Sequence, residues 1–233
     1  ELRRIKQAIM EGRLWEHLEL RAHGHPALLQ ALKKLGKHSE YLEKQSPVTK
    51  KSGLFFFSSL GLARPEVVRH RIRIFERYSP PGKAKILVLL PQTRTKPFHK
   101  SKEQEKVLKE MHRRIDEEID KVHVCTYAAP FGIIPMELDE VYPLSQHEIA
   151  TPLDVETTTY VAKEVAHYIE TFSYEKIILL QDAETWKGKI VAYCRRSCKK
   201  KNTSFTVLRG RKPWGEDTLD HLVRAIQDAV ERS

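Results

Sequence analysis

Long apolar stretches are missing from this sequence of 233 residues, and their absence excludes a membrane-spanning helix. The longest one, at residues 86–90, has the length of a β-strand, whereas a spanning helix needs about 20 residues. We also expect no signal peptide, because charged residues interrupt the apolar residues at the N-terminus. Since the chain starts within a helical pattern and without Met, we expect a fragment or one part of a split protein.

Cysteine is scarce, and the three cysteines present do not fit a secreted disulfide framework. An odd number in a chain of this length is typical of a reducing compartment, so we expect a cytoplasmic location. Cys125 lies in an apolar run, which predicts a small buried side chain. Cys194 and Cys198 share one helix face, but no further Cys, His or carboxylate stands close enough to complete a zinc site. We therefore predict neither a metal nor a cofactor.

Acidic residues are in the minority, 31 against 41 Lys and Arg, which gives a net charge of +10. The excess lies at the ends, with 16 basic against 8 acidic residues in 1–77 and 12 against 5 in 185–233. The middle, 78–184, has 13 basic against 18 acidic residues. A segregated basic surface is typical of phosphate binding, because each neutralised phosphate releases counterions. The pattern favours a nucleic-acid partner, with thermal adaptation as the alternative.

The first third of the chain has the pattern of a small helical module. The helices predicted from the spacing of apolar residues are 2–20, 26–35, which Gly36 is expected to end, and 38–44. Residues 48–62 hold an apolar run between Gly and Ser clusters, which indicates a short strand or a docking segment. A further, basic helix begins at residue 64. Ser and Pro residues at 79–82 form the clearest break, so we assign residues 1–78 to the helical module.

The second predicted domain, residues 79–233, alternates short apolar runs with helical patterns. A continuous apolar run such as 85–90 is typical of a parallel strand that is covered on both faces. The predicted strands are 85–90, 122–127, 176–180 and 205–208, and the predicted helices are 102–119, 155–172, 185–198 and 217–230. Such alternation requires crossover connections. We therefore predict an α/β fold with a mostly parallel sheet covered by helices on both faces, preceded by the small helical module.

Ligands of open parallel sheets bind beyond the carboxyl ends of the strands, which makes the loops at that edge candidate sites. The first loop, residues 91–101, is basic and leads into a helix. Ser101 and Gln104 are expected to begin this helix as a capping box. A helix N-terminus behind a basic loop favours an anion, and the alternative is an ordinary solvated loop.

The second loop, residues 128–143, is apolar at its start and acidic towards its end. We expect Gly132 to allow close approach of the backbone to a ligand. Its three carboxylates are candidate acid–base or amine-binding groups, or else part of a solvated helical turn; they are Glu137, Asp139 and Glu140. The third candidate is the turn at Gln181 and Asp182, whereas the lone His147 is expected to be structural.

The first two loops together resemble the signature loops of one family, archaeosine synthase. The residues that carry the resemblance are Pro91, Lys96, Pro97, Phe98 and Ser101 in the first loop, and Ala129, Pro130, Phe131, Gly132, Pro135, Glu137, Tyr142 and Pro143 in the second. Residues 3–50 are similar to the helical segment that follows the transglycosylase barrel in archaeal members. The resemblance covers nearly the whole chain.

The resemblance implies a uracil-DNA-glycosylase-like α/β domain and an enzyme that attaches lysine to a 7-cyano-7-deazaguanine base in the tRNA D-loop. It implies tRNA and free lysine as partners, a transglycosylase or radical enzyme as a partner chain, and no membrane. The site residues expected on this basis are Lys96, Ser101 and Glu137 for catalysis; Pro91, Gln92, Pro97, Phe98, Gly132, Pro135 and Asp182 for substrate binding; and Arg94, Arg195, Arg196, Lys199, Lys200 and Lys201 for nucleic-acid binding.

The chain departs from the family pattern at Gln92 and Gln104. The family has a cysteine directly after the first proline and a histidine three residues after the serine. If that cysteine attacks the nitrile as a thiolate, a carboxamide cannot replace it. One hypothesis is therefore an active tRNA-modifying enzyme, and the alternative is a non-catalytic tRNA-binding or partner subunit. A glycosylase-like enzyme acting on damaged DNA follows only from fold analogy.

Overall fold

Helices and strands alternate along most of the chain. The computed structural model describes residues 1–50, 52–210 and 212–233, with the backbone alone at 116 and 117. The helices are α1 (Leu2–Met10), α2 (Leu14–Ala22), α3 (Pro26–Leu35), α4 (Ser39–Gln45), α5 (Pro65–Glu76), α6 (Lys102–Ile115), α7 (Val155–Thr171), α8 (Ala183–Trp186), α9 (Lys189–Lys201) and α10 (Glu216–Val230). The strands are β1 (Leu54–Phe56), β2 (Ile86–Pro91), β3 (Val122–Ala128), β4 (Gly132–Pro135), β5 (His147–Ile149), β6 (Lys176–Leu180) and β7 (Ser204–Leu208).

The central sheet has five strands in the order β4-β3-β2-β6-β7. Strands β3, β2, β6 and β7 are parallel, whereas β4 is an antiparallel edge strand next to β3. The carboxyl ends of the parallel strands therefore lie at one edge of the sheet, at Pro91, Ala128, Leu180 and Leu208. The predicted mostly parallel sheet is confirmed, and the sequence did not indicate the antiparallel strand.

Helices cover both faces of this sheet. Alternate residues of β2 enter different cores: Leu87 and Leu89 pack with the apolar sides of α7 and α9. Ile86, Val88 and Leu90 pack with α6 and α10. A strand that is buried on both faces needs an unbroken apolar run, which explains the sequence of β2. The α/β fold class is thereby confirmed.

The N-terminal helices form a smaller core around Trp15, Ala22 and Leu32. The prediction of one helix over residues 2–20 is wrong, because α1 ends at Met10 and α2 begins at Leu14. Gly12 lies between them with φ +71°, a conformation that glycine adopts readily and that a continuing helix does not contain. The predicted end of the second helix at Gly36 is confirmed, because Gly36 is the C-cap residue of α3, and the chain continues from there into a 3₁₀ turn.

Two further helix predictions differ from the structure. The helix expected over 102–119 ends at Ile115 and is followed by a 3₁₀ segment, Asp116–Lys121. The helix expected over 185–198 is divided into α8 and α9 by two left-handed residues, Lys187 (φ 47°) and Gly188 (φ 75°). No helix in the described ranges has the length and apolar character required to cross a membrane.

The helical module and the α/β domain share several contacts. The run at 48–62 contains β1, which pairs in parallel with β5, so the predicted short strand is present. The Ser59 N–H donates to Asp154 Oδ2 at 2.9 Å. In α5, Ile74 belongs to the same core cluster as β2. A boundary at residue 78 therefore remains a prediction, and α5 packs with the sheet.

Candidate functional site

A cleft of ~740 Å³ lies at the carboxyl end of the sheet. The loop after β2, the segment from Glu148 to Leu153 and the α8 region form its walls. Its charged and amide-bearing lining residues are Gln92, Arg94, Lys96, Glu148, Glu184 and Lys187. Both signs of charge meet in this cleft, at the edge where parallel sheets bind ligands.

Gln92 connects the two signature loops. Its main-chain N–H donates to the Tyr127 carbonyl at 3.1 Å, which continues the β2–β3 ladder by one bond. Its side-chain Oε1 accepts from the Ala129 N–H at 2.8 Å. The side chain therefore holds the start of the second loop beside the cleft. A hydrogen-bonded carboxamide can position a substrate, but it offers no nucleophile.

The half-buried side chain of Lys96 lines the cleft. Its Nζ is 5.8 Å from the centroid of the Phe98 ring, a cation–π distance. Burial lowers the pKa of the Lys96 ammonium, and the Glu148 carboxylate opposes this shift. Phe98 itself is fully buried and packs with Phe131 and Leu144. Phe98 thus supports the loop, and Pro97 begins the turn that places it; substrate contacts by both residues remain predictions.

Ser101 and Gln104 are buried at the start of α6. The Ser101 Oγ accepts from the Gln104 N–H at 3.2 Å, as expected for a cap. The Gln104 side chain does not complete the box; it donates to Thr126 Oγ1 at 3.0 Å and to the Pro91 carbonyl at 3.4 Å. Ser101 is 0% exposed and does not line the cleft. Its catalytic role remains a prediction, and capping accounts for its burial.

The second loop does not stay at the carboxyl end of the sheet. Because β4 runs antiparallel to β3, it places Pro135 opposite Cys125 and takes Glu137 towards the amino end. There Glu137 accepts a short hydrogen bond from Tyr78, and its Oε1 lies 3.4 Å from His123 Nε2. The expectation that this loop lies wholly at the cleft is therefore wrong. The structure does not bring Glu137 together with Lys96.

Gly132 is needed for packing against a helix. It has φ +84°, and a Cβ built on it would lie 2.5 Å from the Cβ of Glu164 in α7. A close approach is present at this glycine, and the neighbour is Glu164 of α7. Among the predicted substrate-binding residues, Gly132 and Pro135 are thus in the β4 hairpin and outside the cleft lining.

Asp182 supports the cleft from the end of β6. Its Oδ1 accepts from the Thr185 N–H at 3.1 Å and so caps α8. Its own N–H donates to the Tyr127 hydroxyl oxygen at 3.2 Å. The carboxylate is already engaged, whereas Glu184 and Lys187 line the cleft. Sequence reasoning missed both, although they follow the predicted turn directly.

Glu148 is the other lining residue that sequence reasoning missed. It lies in β5, whose pairing with β1 places it beside the loop after β2. No local pattern in the sequence marks this three-residue strand, because its partner lies more than 90 residues away. Only the tertiary structure brings Glu148 to Lys96.

The predicted nucleic-acid-binding residues fall in two places. Arg94 lines the cleft, whereas the other five lie in α9, which ends at Lys201 just before the amino end of β7. In α9, Lys200 pairs with Glu170 at 3.0 Å, and Lys201 donates to the Phe172 carbonyl at 2.6 Å. Arg195 and Lys199 are exposed and one turn apart, and within the described residues neither has a carboxylate partner. The structure does not join Arg94 to this cluster.

The fold and the cleft define an α/β protein with a polar site at the carboxyl end of a mostly parallel sheet. The chain belongs to the family described as Domain of unknown function (DUF5591), whose model matches residues 67–226. It is 36% identical over 182 residues to a protein named tRNA-guanine(15) transglycosylase from Methanobrevibacter smithii, covering 77% of this chain and 26% of that protein.

A further relative and one solved structure also match this chain. The protein of that name from Saccharolobus solfataricus is 36% identical over 186 residues, covering 77% of this chain and 35% of that protein. The chain spans about a quarter of the length of the first relatives it matches. The crystal structure of AF0587, a protein of unknown function, matches with a TM-score of 0.49 at 17% identity, over 67% of this chain and 48% of that chain.

Proposed function

We propose that this chain acts in tRNA base modification in the archaeosine pathway, and that its cleft binds lysine beside the modified base. The observation that carries the proposal is the bond from the Ala129 N–H to Gln92 Oε1, which joins the two loops that resemble the archaeosine synthase signatures. The names of the relatives, tRNA-guanine(15) transglycosylases, support a tRNA substrate. A uracil-DNA-glycosylase-like domain remains part of the proposal.

The charges of the cleft match those of lysine. Lysine carries one carboxylate and two amines, and the cleft offers cations and carboxylates in one volume. Arg94 and Lys187 are available for the carboxylate, and Glu148 and Glu184 for the amines. Charge-assisted hydrogen bonds of this kind are stronger than neutral ones and fix the orientation of the ligand.

The proposed chemistry is addition of an amine of lysine to the nitrile of the base. One C–N bond forms, one π bond of the nitrile breaks, and one proton passes from the amine to the nitrile nitrogen. Lys96 is suited to transfer this proton, because burial lowers the pKa of its ammonium group. Gln92 would hold the loops and contact the base without forming a bond to it.

A second candidate function is a non-catalytic subunit that binds tRNA beside a transglycosylase or radical-enzyme chain. Two observations favour it: Gln92 stands where the family has its cysteine, and all three cysteines of the chain are buried. Burial raises the pKa of the Cys125 and Cys194 thiols, and that of Cys198 to about 11. None of them is a reactive thiolate at neutral pH.

The test is lysine-dependent mass gain on nitrile-bearing tRNA, measured by mass spectrometry for the wild type, Gln92→Cys and Lys96→Ala. Mass gain by the wild type and its loss in Lys96→Ala would support the enzyme. An inactive wild type with gain in Gln92→Cys would support the subunit. Lys109→Ala, on the exposed side of α6, is the matched control and should behave as the wild type. Both functions are contradicted if no form of the chain binds this tRNA or gains mass.

A further inference from the structure

A second cavity, of ~300 Å³, lies between α5 and residues 138–144. It is lined on the helix side by His70, Arg73, Ile74, Arg77 and Tyr78. Tyr78 contacts Glu137 and His123, which places the cavity towards the amino end of the sheet, away from the cleft. Nothing in the proposed tRNA function uses this cavity.

The cavity has two cations that no carboxylate among the described side chains neutralises. Arg73, in the last turn of α5, and Arg77, which directly follows that helix, are exposed and line the cavity. Neither is paired with a carboxylate of the described residues, in contrast to their neighbour Arg69. Arg69 binds Glu43 at 2.6 Å and main-chain carbonyls around it, so its charge is satisfied.

The carboxylate of Glu66, the acidic residue among the described lining residues, is also engaged elsewhere. Glu66 forms a short ion pair with Lys50, and Arg64 lies 3.5 Å from it. These partners hold the pKa of Glu66 below its usual value despite its burial. The remaining charge that faces a ligand in this cavity is therefore positive.

The walls of the cavity are apolar and aromatic. Leu138, Val141 and Leu144 form one side, and Val141 is 51% exposed at the rim. On the other side, Tyr78 is fixed because its hydroxyl donates to Glu137 and lies 3.1 Å from His123 Nε2.

His70 adds a second fixed and uncharged ring. Its Nε2 donates to the Ile133 carbonyl at 2.8 Å, and burial lowers its pKa to about 4, so the ring is neutral at neutral pH. The two rings therefore need no rearrangement to receive a flat ligand.

We propose that this cavity binds a small anion with a flat apolar body, of the aryl phosphate or aryl carboxylate class. The guanidinium groups of Arg73 and Arg77 bind the anionic group in the fork geometry that suits phosphate and carboxylate oxygens. The ring lies between Tyr78 and the apolar wall. A volume at the lower end of the range of about 300–1,000 Å³ for ligand pockets fits a single ring system.

Calorimetric titration with phenyl phosphate tests the proposal on the full chain. We expect saturable binding, and binding at least about tenfold weaker for inorganic phosphate, which lacks the ring, and for phenol, which lacks the charge. Arg73→Ala with Arg77→Ala should weaken phenyl phosphate binding at least about tenfold. Arg113→Ala with Arg224→Ala removes the same charge from exposed sites elsewhere and should leave the affinity for phenyl phosphate unchanged.

Three results would overturn the proposal: no saturable binding of phenyl phosphate, equal binding by the two double variants, or equal binding of inorganic phosphate. Amide chemical shifts in NMR spectra add the location, which should be residues 70–78 and 138–144. Shifts confined to residues 92–96 would assign the ligand to the cleft and contradict the proposal. Lys96→Ala should bind phenyl phosphate normally, so the outcome is independent of the proposed tRNA function.

Discussion

Ser101, the last residue of the first signature loop, and Gln104, in the first turn of α6, stabilise that loop through buried hydrogen bonds. Both are buried, and their hydrogen bonds join the start of α6 to the ends of β2 and β3. The loop of residues 91–101 is therefore anchored at its carboxyl end before any ligand binds. Replacing a residue that anchors a loop lowers the stability of the protein. Replacing one that reacts with a substrate lowers its activity.

Replacing Ser101 with Ala should lower the free energy of unfolding by about 1 kcal/mol, because α6 loses its cap. Urea denaturation measures this change. Ser204→Ala, at an exposed serine at the start of β7, is the control and should alter stability by less than about 0.5 kcal/mol. Full stability of Ser101→Ala combined with loss of tRNA modification would instead assign the hydroxyl to catalysis.

His70 predicts a dependence of stability on pH. Its pKa is about 4 in the folded protein because of burial, against about 6.5 in the unfolded chain. Since the unfolded chain then binds a proton more readily, the contribution of His70 is complete above pH 6.5 and declines as the pH falls towards 4. The loss amounts to at most about 3 kcal/mol.

The measurement is urea denaturation at several pH values between 7.5 and 4.5. His70→Gln should show a smaller decrease in stability across this range than the wild type, whatever its stability at pH 7.5. His112→Gln, at an exposed histidine of α6, should keep the slope of the wild type. Equal slopes for all three proteins would show that folding does not lower the pKa of His70.

Among the elements, β4 determines where the second loop goes. Gly132 begins this strand and lies against Glu164 of α7, where a Cβ would be only 2.5 Å from the Glu164 Cβ. Gly188 has a similar φ, +75°, but a Cβ there would meet nothing within 4 Å. Alanine substitutions at the two glycines therefore distinguish the free-energy cost of the backbone conformation from that of a steric clash.

Gly188→Ala should lower the free energy of unfolding by about 1 kcal/mol, the cost of the left-handed conformation for alanine. Gly132→Ala should cost about 1 to 3 kcal/mol more, because β4 or α7 must also shift. Thermal and urea denaturation of both variants give the difference. If both lose the same stability, α7 does not restrain β4.

The sequence predicted those elements whose burial alone determines their pattern of apolar residues. The run of β2 has to be apolar throughout because both of its faces are covered, so strand and fold class could be read from it. Sequence reasoning failed where distant residues decide the structure. β4 returns along β3, and β5 pairs with β1 from more than 90 residues away. For this reason Glu137 was expected at the cleft and Glu148 was not.

At the scale of the whole molecule, the two ends of the sheet carry different features. The cleft with Arg94 and Lys96 lies at the carboxyl end, and the end of the basic helix α9 lies near the start of β7. A tRNA that reaches both would have to extend along one side of the domain. The phosphate contacts and the base site would then be separate regions of one interface.

Arg195→Ala with Lys199→Ala should weaken tRNA binding and make it less sensitive to salt. Each lost phosphate contact lowers the slope of log affinity against log salt by about 0.7 to 0.9, so the pair should lower it by about 1 to 2. Filter binding from 50 to 300 mM salt measures the slope. Lys109→Ala with Arg113→Ala, which pair with Glu105 and Glu110, is the control of equal charge. An equal decrease of tRNA affinity in both double variants would mean that binding depends on net charge and that α9 has no specific role.

The most direct test of the proposed function is calorimetric titration of the cleft with lysine in the presence of nitrile-bearing tRNA. L-lysine should bind saturably, and L-norleucine, which lacks the side-chain amine, at least about tenfold more weakly. Glu148→Gln with Glu184→Gln should abolish this preference, while Glu105→Gln on α6 keeps it. Equal binding of lysine and norleucine by the wild type, or no saturable binding of either, would contradict the assignment of the cleft to lysine.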